Sequence, residues 1–275
     1  MLGLEEIMNR KCVLITGSTG IGKSLIEKYA QNNFNVVMTY VNHEEEAKKL
    51  ENEIKDKYQI DTLCIKCDIS KEEDIINLKK DVINKFKTID VLINNAGIAI
   101  DTTFDMKTKE IFMKTLEVNL VGTFLMSKHF GDLMFENKSG NIVNISSTNG
   151  IDSYYEFSID YDASKAGVIN LSHNLANHYA PYVRVNTVCP GWVNTPMNKE
   201  LSNEFKNKEI DKILLNRFAE PYEIAELIYF ITSDNASYLN DSVIKMTSPR
   251  CCPLVALFGP PTLRSACALA AVRLA

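Results

Sequence analysis

Thr16-Gly-Ser-Thr-Gly-Ile-Gly22 joins an apolar, β-branched run, Lys11–Thr16, to a run with helical spacing, Gly22–Gln31. A strand that passes through a glycine turn directly into a helix is the opening of a βαβ unit, and few folds begin that way. The alternation then repeats. Asn35–Tyr40 reads as a second strand, followed by a helix near Glu44–Lys57 with Ala47, Leu50 and Ile54 on one stripe. Asp61–Cys67, Ile89–Ile93, Asn141–Ile145, Val183–Val188 and Ser242–Met246 supply further strands with helical stretches between them. Ser70, with Glu73 three residues on, predicts a capping box for the helix after the third strand.

Near-continuous apolar strands that alternate with amphipathic helices predict parallel strands covered on both faces, joined by right-handed crossovers. The expected fold is α/β: a doubly wound, Rossmann-type parallel sheet in three layers, one domain over residues 1–246. The composition changes abruptly after that. Up to Met246 the chain is rich in Lys, Asn and Ile; from Thr247 onward it has neither Lys nor Asn, and Pro, Ala, Arg, Cys and Leu dominate. Residues 247–275 are therefore expected to be an atypical tail outside the fold, foreign in composition rather than a simple flexible extension.

Several classes of function are excluded. The net charge of −5 and lysines paired with glutamates at helical spacing, as in Glu44/Lys48 and Glu45/Lys49, leave no footprint for nucleic acid. No apolar run reaches the roughly 18–20 residues of a membrane span, and the acidic start Met1–Met8 is unlike a signal peptide. A cytoplasmic location follows as the default expectation. Seven scattered cysteines make no disulfide framework. Cys64 and Cys67 have the spacing of a redox or metal pair, but in a strand a separation of three sends the two thiols to opposite faces. His43, His129, His173 and His178 show no ligand spacing, so no metal is expected.

The glycine turn offers a helix N-terminus to a pyrophosphate, with backbone able to approach it closely. Asp68, just after the third strand, could accept from an adenine amino group or serve as a helix-entry residue, and the two roles are compatible. Met38-Thr-Tyr-Val-Asn42 at the end of the second strand lacks the acid that would hold a ribose 2′-hydroxyl, which favours NADP over NAD. Asn94-Asn-Ala-Gly97 ends the fourth strand, at the sheet edge where such folds bind ligands.

Tyr161 and Lys165 lie four apart on a helix expected over Ser158–Ala180, so they share a face. A phenol is a poor base near neutrality, and a neighbouring ammonium is expected to pull its pKa down. Ser147 could donate to a substrate carbonyl, and Asn119 could hold a water linking Lys165 to solvent.

Taken in order, the glycine turn, Asn94–Gly97, Asn119, Ser146-Ser147, Tyr161-Asp-Ala-Ser-Lys165 and Pro190-Gly-Trp-Val-Asn-Thr195 resemble the short-chain dehydrogenase/reductase family, over roughly Lys11 to Met246. The resemblance implies an oxidoreductase that moves a hydride between nicotinamide and a carbonyl or secondary alcohol. It implies Tyr161 as general acid/base, Lys165 as ribose ligand and modulator of that phenol, Ser147 as substrate-positioning residue and Asn119 as holder of a relay water. For the cofactor it implies Gly17, Ser18, Thr19, Gly20, Ile21 and Gly22 at the phosphates, Asp68 and Ile69 at the adenine, and Asn95, Ala96 and Gly97 on the adenine–ribose side. Pro190, Gly191, Val193 and Thr195 would meet the nicotinamide, with Tyr161 and Lys165.

Within the family the look is that of 3-oxoacyl-acyl-carrier-protein reductases, which implies a small carbonyl substrate, possible carriage on acyl carrier protein, and a homo-oligomer, tetramer or dimer. The chain departs from the pattern in places. Its glycine turn is one residue short before Gly20, one residue is added between Ser147 and Tyr161, and the usual Asp-Gly-Gly-like ending is replaced by the tail. Asp132 and Tyr182 stand where those reductases place arginines, and the loop Ile151–Phe157 lies where substrate selectivity is set. A sugar, polyol or other small-ketone dehydrogenase is the alternative enzyme, and a non-catalytic nucleotide-binding protein the alternative class.

Overall fold

The structure, a computed structural model, describes residues 10–152, 155–199 and 201–247; the tail beyond Thr247 lies outside them. Seven strands form one sheet in the order β3-β2-β1-β4-β5-β6-β7, and every pairing is parallel. They are β1 (Cys12–Ile15), β2 (Asn35–Tyr40), β3 (Thr62–Lys66), β4 (Val91–Asn94), β5 (Gly140–Ile145), β6 (Val183–Pro190) and β7 (Val243–Met246). The principal helices are α1 (Ile21–Gln31), α2 (Glu44–Tyr58), α3 (Glu72–Phe86), α4 (Lys109–Leu116), α5 (Thr123–Glu136), α6 (Ile159–Tyr179), α7 (Asn203–Ile210) and α8 (Pro221–Thr232).

The period-2 geometry of each strand divides its side chains between two cores. Val13 and Ile15 join Leu25 and Ile26 of α1, Leu50 of α2 and Ile228 of α8 on one face. Cys12 and Leu14 join Leu78 of α3, Phe130 of α5 and Leu175 of α6 on the other. Cys64 belongs to the first core and Cys67 to the second, as their spacing in an extended strand requires. Burial raises both thiols, to about 11 and about 12, so neither is poised as a nucleophile or ligand.

The expected capping box at Ser70 and Glu73 does not form. Helix α3 starts at Glu72, with Lys71 at the N-cap and no side-chain cap bond. Asp68 takes the serine instead: its Oδ1 accepts from Ser70 N at 3.1 Å and from Ser70 Oγ at 2.7 Å. The helix-entry role read for Asp68 is thus one that its carboxylate performs, and Asp74 Oδ2 accepts from the Asp68 amide at 2.9 Å.

The chain leaves β1 towards β2 and β3, then crosses back to β4 and continues to β7. The reversal lies between β1 and β4, and the carboxyl ends on either side of it open a crevice suited to a ligand. Thr16 closes the floor of that crevice, its Oγ1 accepting from the amides of Asn95 and Ala96, each at 3.0 Å.

Candidate active site

The glycine turn lies at the mouth of this crevice. Gly17 (φ +80°) and Gly20 (φ +54°) take left-handed conformations that a residue with a Cβ enters at a cost. Gly20 is the N-cap of α1; no side chain caps that end and its first turn carries no acid. Unpaired N–H groups and the positive end of the dipole thus face the crevice without a competing negative charge. A Cβ on Gly20 would lie 3.2 Å from Thr195, so the turn and the segment after β6 form the two walls of a cradle that only glycine leaves open. These residues fit an anionic dinucleotide backbone. Asn95 holds the turn in shape, donating through Nδ2 to Thr16 O at 2.9 Å and Gly17 O at 3.4 Å. Thr39 at the end of β2 accepts from Gly17 N at 3.2 Å.

Asn119 sits in a π-helical segment, Glu117–Gly122, between α4 and α5. Such wide turns insert a residue into the helical ladder and redirect a side chain, here inward. Asn119 is fully buried. Its Oδ1 accepts from Ile98 N at 2.8 Å, and its Nδ2 donates to Ile98 O at 2.9 Å and Ser164 Oγ at 3.1 Å. The side chain expected to hold a water is a strut between the loop after β4 and helix α6, and its Oδ1 keeps a second lone pair. Gly97 packs beside it: a Cβ there would come within 3.2 Å of Asn119 Oδ1 and 3.5 Å of Lys165 Nζ.

Lys165 is buried on α6. Its Nζ donates to Ile145 O at 2.8 Å and lies 5.5 Å from the centre of the Tyr161 ring. Ser146 Oγ donates to Lys165 O at 2.7 Å, fastening the helix to the end of β5. Burial lowers the lysine to about 8. The expected lowering of Tyr161 does not occur: burial pushes the phenol up to about 12, while a hydrogen bond to Ser147 works the other way. The nearby acids Asp162 and Asp101 add to the rise. Burial, which spacing along the helix does not report, is the largest cause of the rise. In this protonated form Tyr161 is an acid rather than a base.

Ser147 begins the turn after β5, its Oγ accepting from Asn149 N at 3.2 Å. Gly191, Val193 and Thr195 follow β6; Gly191 N donates to Met246 O at 3.0 Å and Asn194 N to Ala219 O at 2.8 Å. Tyr161, Lys165, Ser147, Asn119 and Gly97 are therefore brought together at the carboxyl edge of β4 and β5, with the glycine turn and Thr195 beside them.

Sequence reasoning missed two acids. Asp160 and Asp162 flank Tyr161 in the first turn of α6. Asp162 gathers the loop between β5 and α6, accepting from Asn149 Nδ2 at 2.7 Å, Tyr155 N at 3.0 Å and Ser158 Oγ at 3.2 Å. Residues 153 and 154 of that loop lie outside the described residues. Of the four histidines, His43 meets Glu46, His129 meets Glu72, His173 meets Asp241 and His178 packs on Tyr179.

A family model described as short chain dehydrogenase matches residues 11–206. The chain belongs to the short-chain dehydrogenase/reductase family. Its enzymes are NAD(P)-dependent oxidoreductases, and the Rossmann-like sheet is theirs. The chain is similar to 3-oxoacyl-(acyl-carrier-protein) reductase FabG of Aquifex aeolicus (strain VF5), 37% identical over 243 residues, covering 88% of this chain and 97% of that one. It is 31% identical to the reductase of the same name from Staphylococcus epidermidis over 86% of this chain and 97% of that one. Among solved structures, levodione reductase superposes with a TM-score of 0.82 at 28% identity, covering 90% of this chain and 98% of that one. An actinorhodin polyketide ketoreductase with NADPH gives 0.81 at 26% identity, over 88% and 97%. Among the described residues no helix is long and apolar enough to cross a membrane, and no cluster could hold a metal ion.

Proposed function

We propose that this short-chain reductase uses NADPH to reduce the ketone of 3-oxoacyl thioesters. The observation that carries the reading is the convergence of Ser147, Tyr161 and Lys165 on one edge of the sheet, with Lys165 anchored to Ile145 O. The names of the similar reductases supply the substrate class. When bound, a reduced nicotinamide would supply the hydride to the carbonyl carbon. Ser147 Oγ donates to the substrate carbonyl oxygen, and Tyr161 Oη, protonated near neutrality, delivers a proton to it. Lys165 stands behind Tyr161 as ribose ligand and source of the replacement proton, a role its lowered pKa suits. The N-terminus of α1 would hold the pyrophosphate, with Asp68 and Ile69 towards the adenine and Thr195 towards the nicotinamide.

NADP is favoured over NAD because β2 ends in Thr39-Tyr40-Val41-Asn42 without an acid to repel a 2′-phosphate. A cytoplasmic dimer or tetramer is the form we expect. A second reading draws on Asp132, whose Oδ1 accepts from Tyr179 Oη at 3.0 Å, and on exposed Tyr182. These replace cations that an acidic carrier protein would need, which favours a free or coenzyme A-linked ketone.

The test is oxidation of NADPH and NADH with acetoacetyl-coenzyme A, acetoacetyl carrier protein, simple diketones and sugars. Turnover of either thioester that vanishes in Tyr161→Phe supports the reading, and the ratio of the two thioesters decides the carrier question. Turnover of sugars alone, or failure of NADPH to bind, overturns it.

A further inference from the structure

Asp160 immediately precedes Tyr161 and is fully buried, an unusual place for a carboxylate. Its Oδ2 accepts from Thr115 Oγ1 of α4 at 2.6 Å, and its Oδ1 lies 2.9 Å from Lys107 Nζ. Lys107 is equally enclosed, with 4% of its side chain exposed. The same ammonium donates to Ile100 O at 2.5 Å. One buried ion pair therefore joins three segments: the first turn of α6, helix α4, and the loop 98–108 that leaves the cofactor edge of β4.

We propose that the Lys107–Asp160 pair is the positioning element for Tyr161: it clamps the first turn of α6 and cancels a charge that neighbours the phenol in the chain and acts on Asp101, one of the acids facing it. Burial of two ions is seldom the cheapest way to stabilise a core, since an apolar pair of similar volume often does as well. A function for the charge is the better account. The groups facing Tyr161 are Ser147 from the turn after β5, Cys189 from β6, Asp101 from the loop after β4, and Asp162 and Lys165 from α6 itself. Asp101 faces Lys107, Asp160 and Asp162 in turn. In this acid-rich surround Lys107 is the cation that balances Asp160, and Asp160 is held well ionised by Thr115 and Lys107 despite its burial.

The two halves of the pair predict opposite effects. Oxidation of 3-hydroxybutyryl-coenzyme A with NADP needs Tyr161 as phenolate, so its rate rises with pH along one limb. In Lys107→Met the unbalanced carboxylate disfavours the phenolate and the limb moves to higher pH. At a fixed pH on that limb, moving the limb up by about one pH unit reads as about a tenfold loss of rate. In Asp160→Asn the unbalanced ammonium moves the limb to lower pH. The double variant Lys107→Met/Asp160→Asn returns the limb to the parent position but keeps a reduced kcat, because the clamp is gone.

Limbs that coincide in all variants, or that move the same way in both single variants, overturn the proposal. Should Lys107→Met not fold, Asp160→Asn decides alone, since it is isosteric and can still accept from Thr115. Hydrogen exchange supplies a readout without turnover: amides of 98–106 and 159–164 should quicken together in either single variant, and unchanged exchange removes the clamp. The proposal rests on Tyr161 as the acid–base group. A Tyr161→Phe enzyme with parental turnover would remove that reading, while the exchange result would still report on the clamp.

Discussion

Lys165 Nζ donates to Ile145 O at 2.8 Å, so the ammonium one turn after Tyr161 is anchored to the end of β5 rather than to the phenol. The anchor fixes where the charge sits along the crevice and leaves the remaining donors of the ammonium for a ligand. It also sets the energetic cost of the site.

Burial lowers Lys165 from its ordinary 10.5 to about 8. The unfolded chain therefore binds the proton between about pH 8 and 10.5 while the folded one has released it, so stability from this group rises with pH across that window. Below about pH 8 the folded protein carries the full cost of a buried charge. Lys165→Met should abolish turnover yet raise stability near pH 7 by on the order of 2 kcal/mol, allowing for the lost hydrogen bond. Thermal unfolding across that window checks it; a lower Tm near pH 7 would contradict the assignment.

Asn119→Ala removes the partners of both polar backbone atoms of Ile98 in a part-buried setting. Each unsatisfied group costs about 1–3 kcal/mol. Stability should fall by about 2–4 kcal/mol, with turnover reduced because Gly97 and Ser164 lose their common support. Denaturant unfolding and steady-state kinetics measure the two effects separately.

The glycine turn makes a prediction in each direction. A Cβ at Gly22 would stand 2.0 Å from Gly17 O, so Gly22→Ala must open the turn and should weaken NADPH binding at least about tenfold. Inserting an arginine between Thr19 and Gly20 restores the missing position and should tighten NADPH more than NADH, because only NADPH carries the extra phosphate. Calorimetric titration of both cofactors settles the matter; equal gains for the two would point to loop length rather than charge.

Asp162→Ala frees Asn149, the Tyr155 amide and Ser158 at once. The loop between β5 and α6 should loosen, raising KM more than it lowers kcat. Limited proteolysis within 149–158, faster in the variant than in the parent, provides the structural check.

Strand and helix order, the parallel sheet and the Tyr161/Lys165 face were all legible from periodicity, because a strand buried on both faces and a helix buried on one have different repeats. The separation of Cys64 and Cys67 was legible for the same reason. The capping box at Ser70 was misread because Asp68, two residues earlier, competes for the same hydroxyl at 2.7 Å. The acidity of Tyr161 was misread because spacing along a helix carries no information about burial.

The sequence by itself determined the fold, through local turn chemistry and hydrophobic period, and the resemblance to the family, through the order of its motifs. Only the tertiary structure decided the environment of the chemistry. Lys107 and Asp160 are far apart in the chain and 2.9 Å apart in space, and Asn119 reaches Ile98 and Ser164 from a π-turn that no pattern announces. Such contacts arise from packing between distant segments, where desolvation makes each charge and hydrogen bond count for more than it would along an exposed helix.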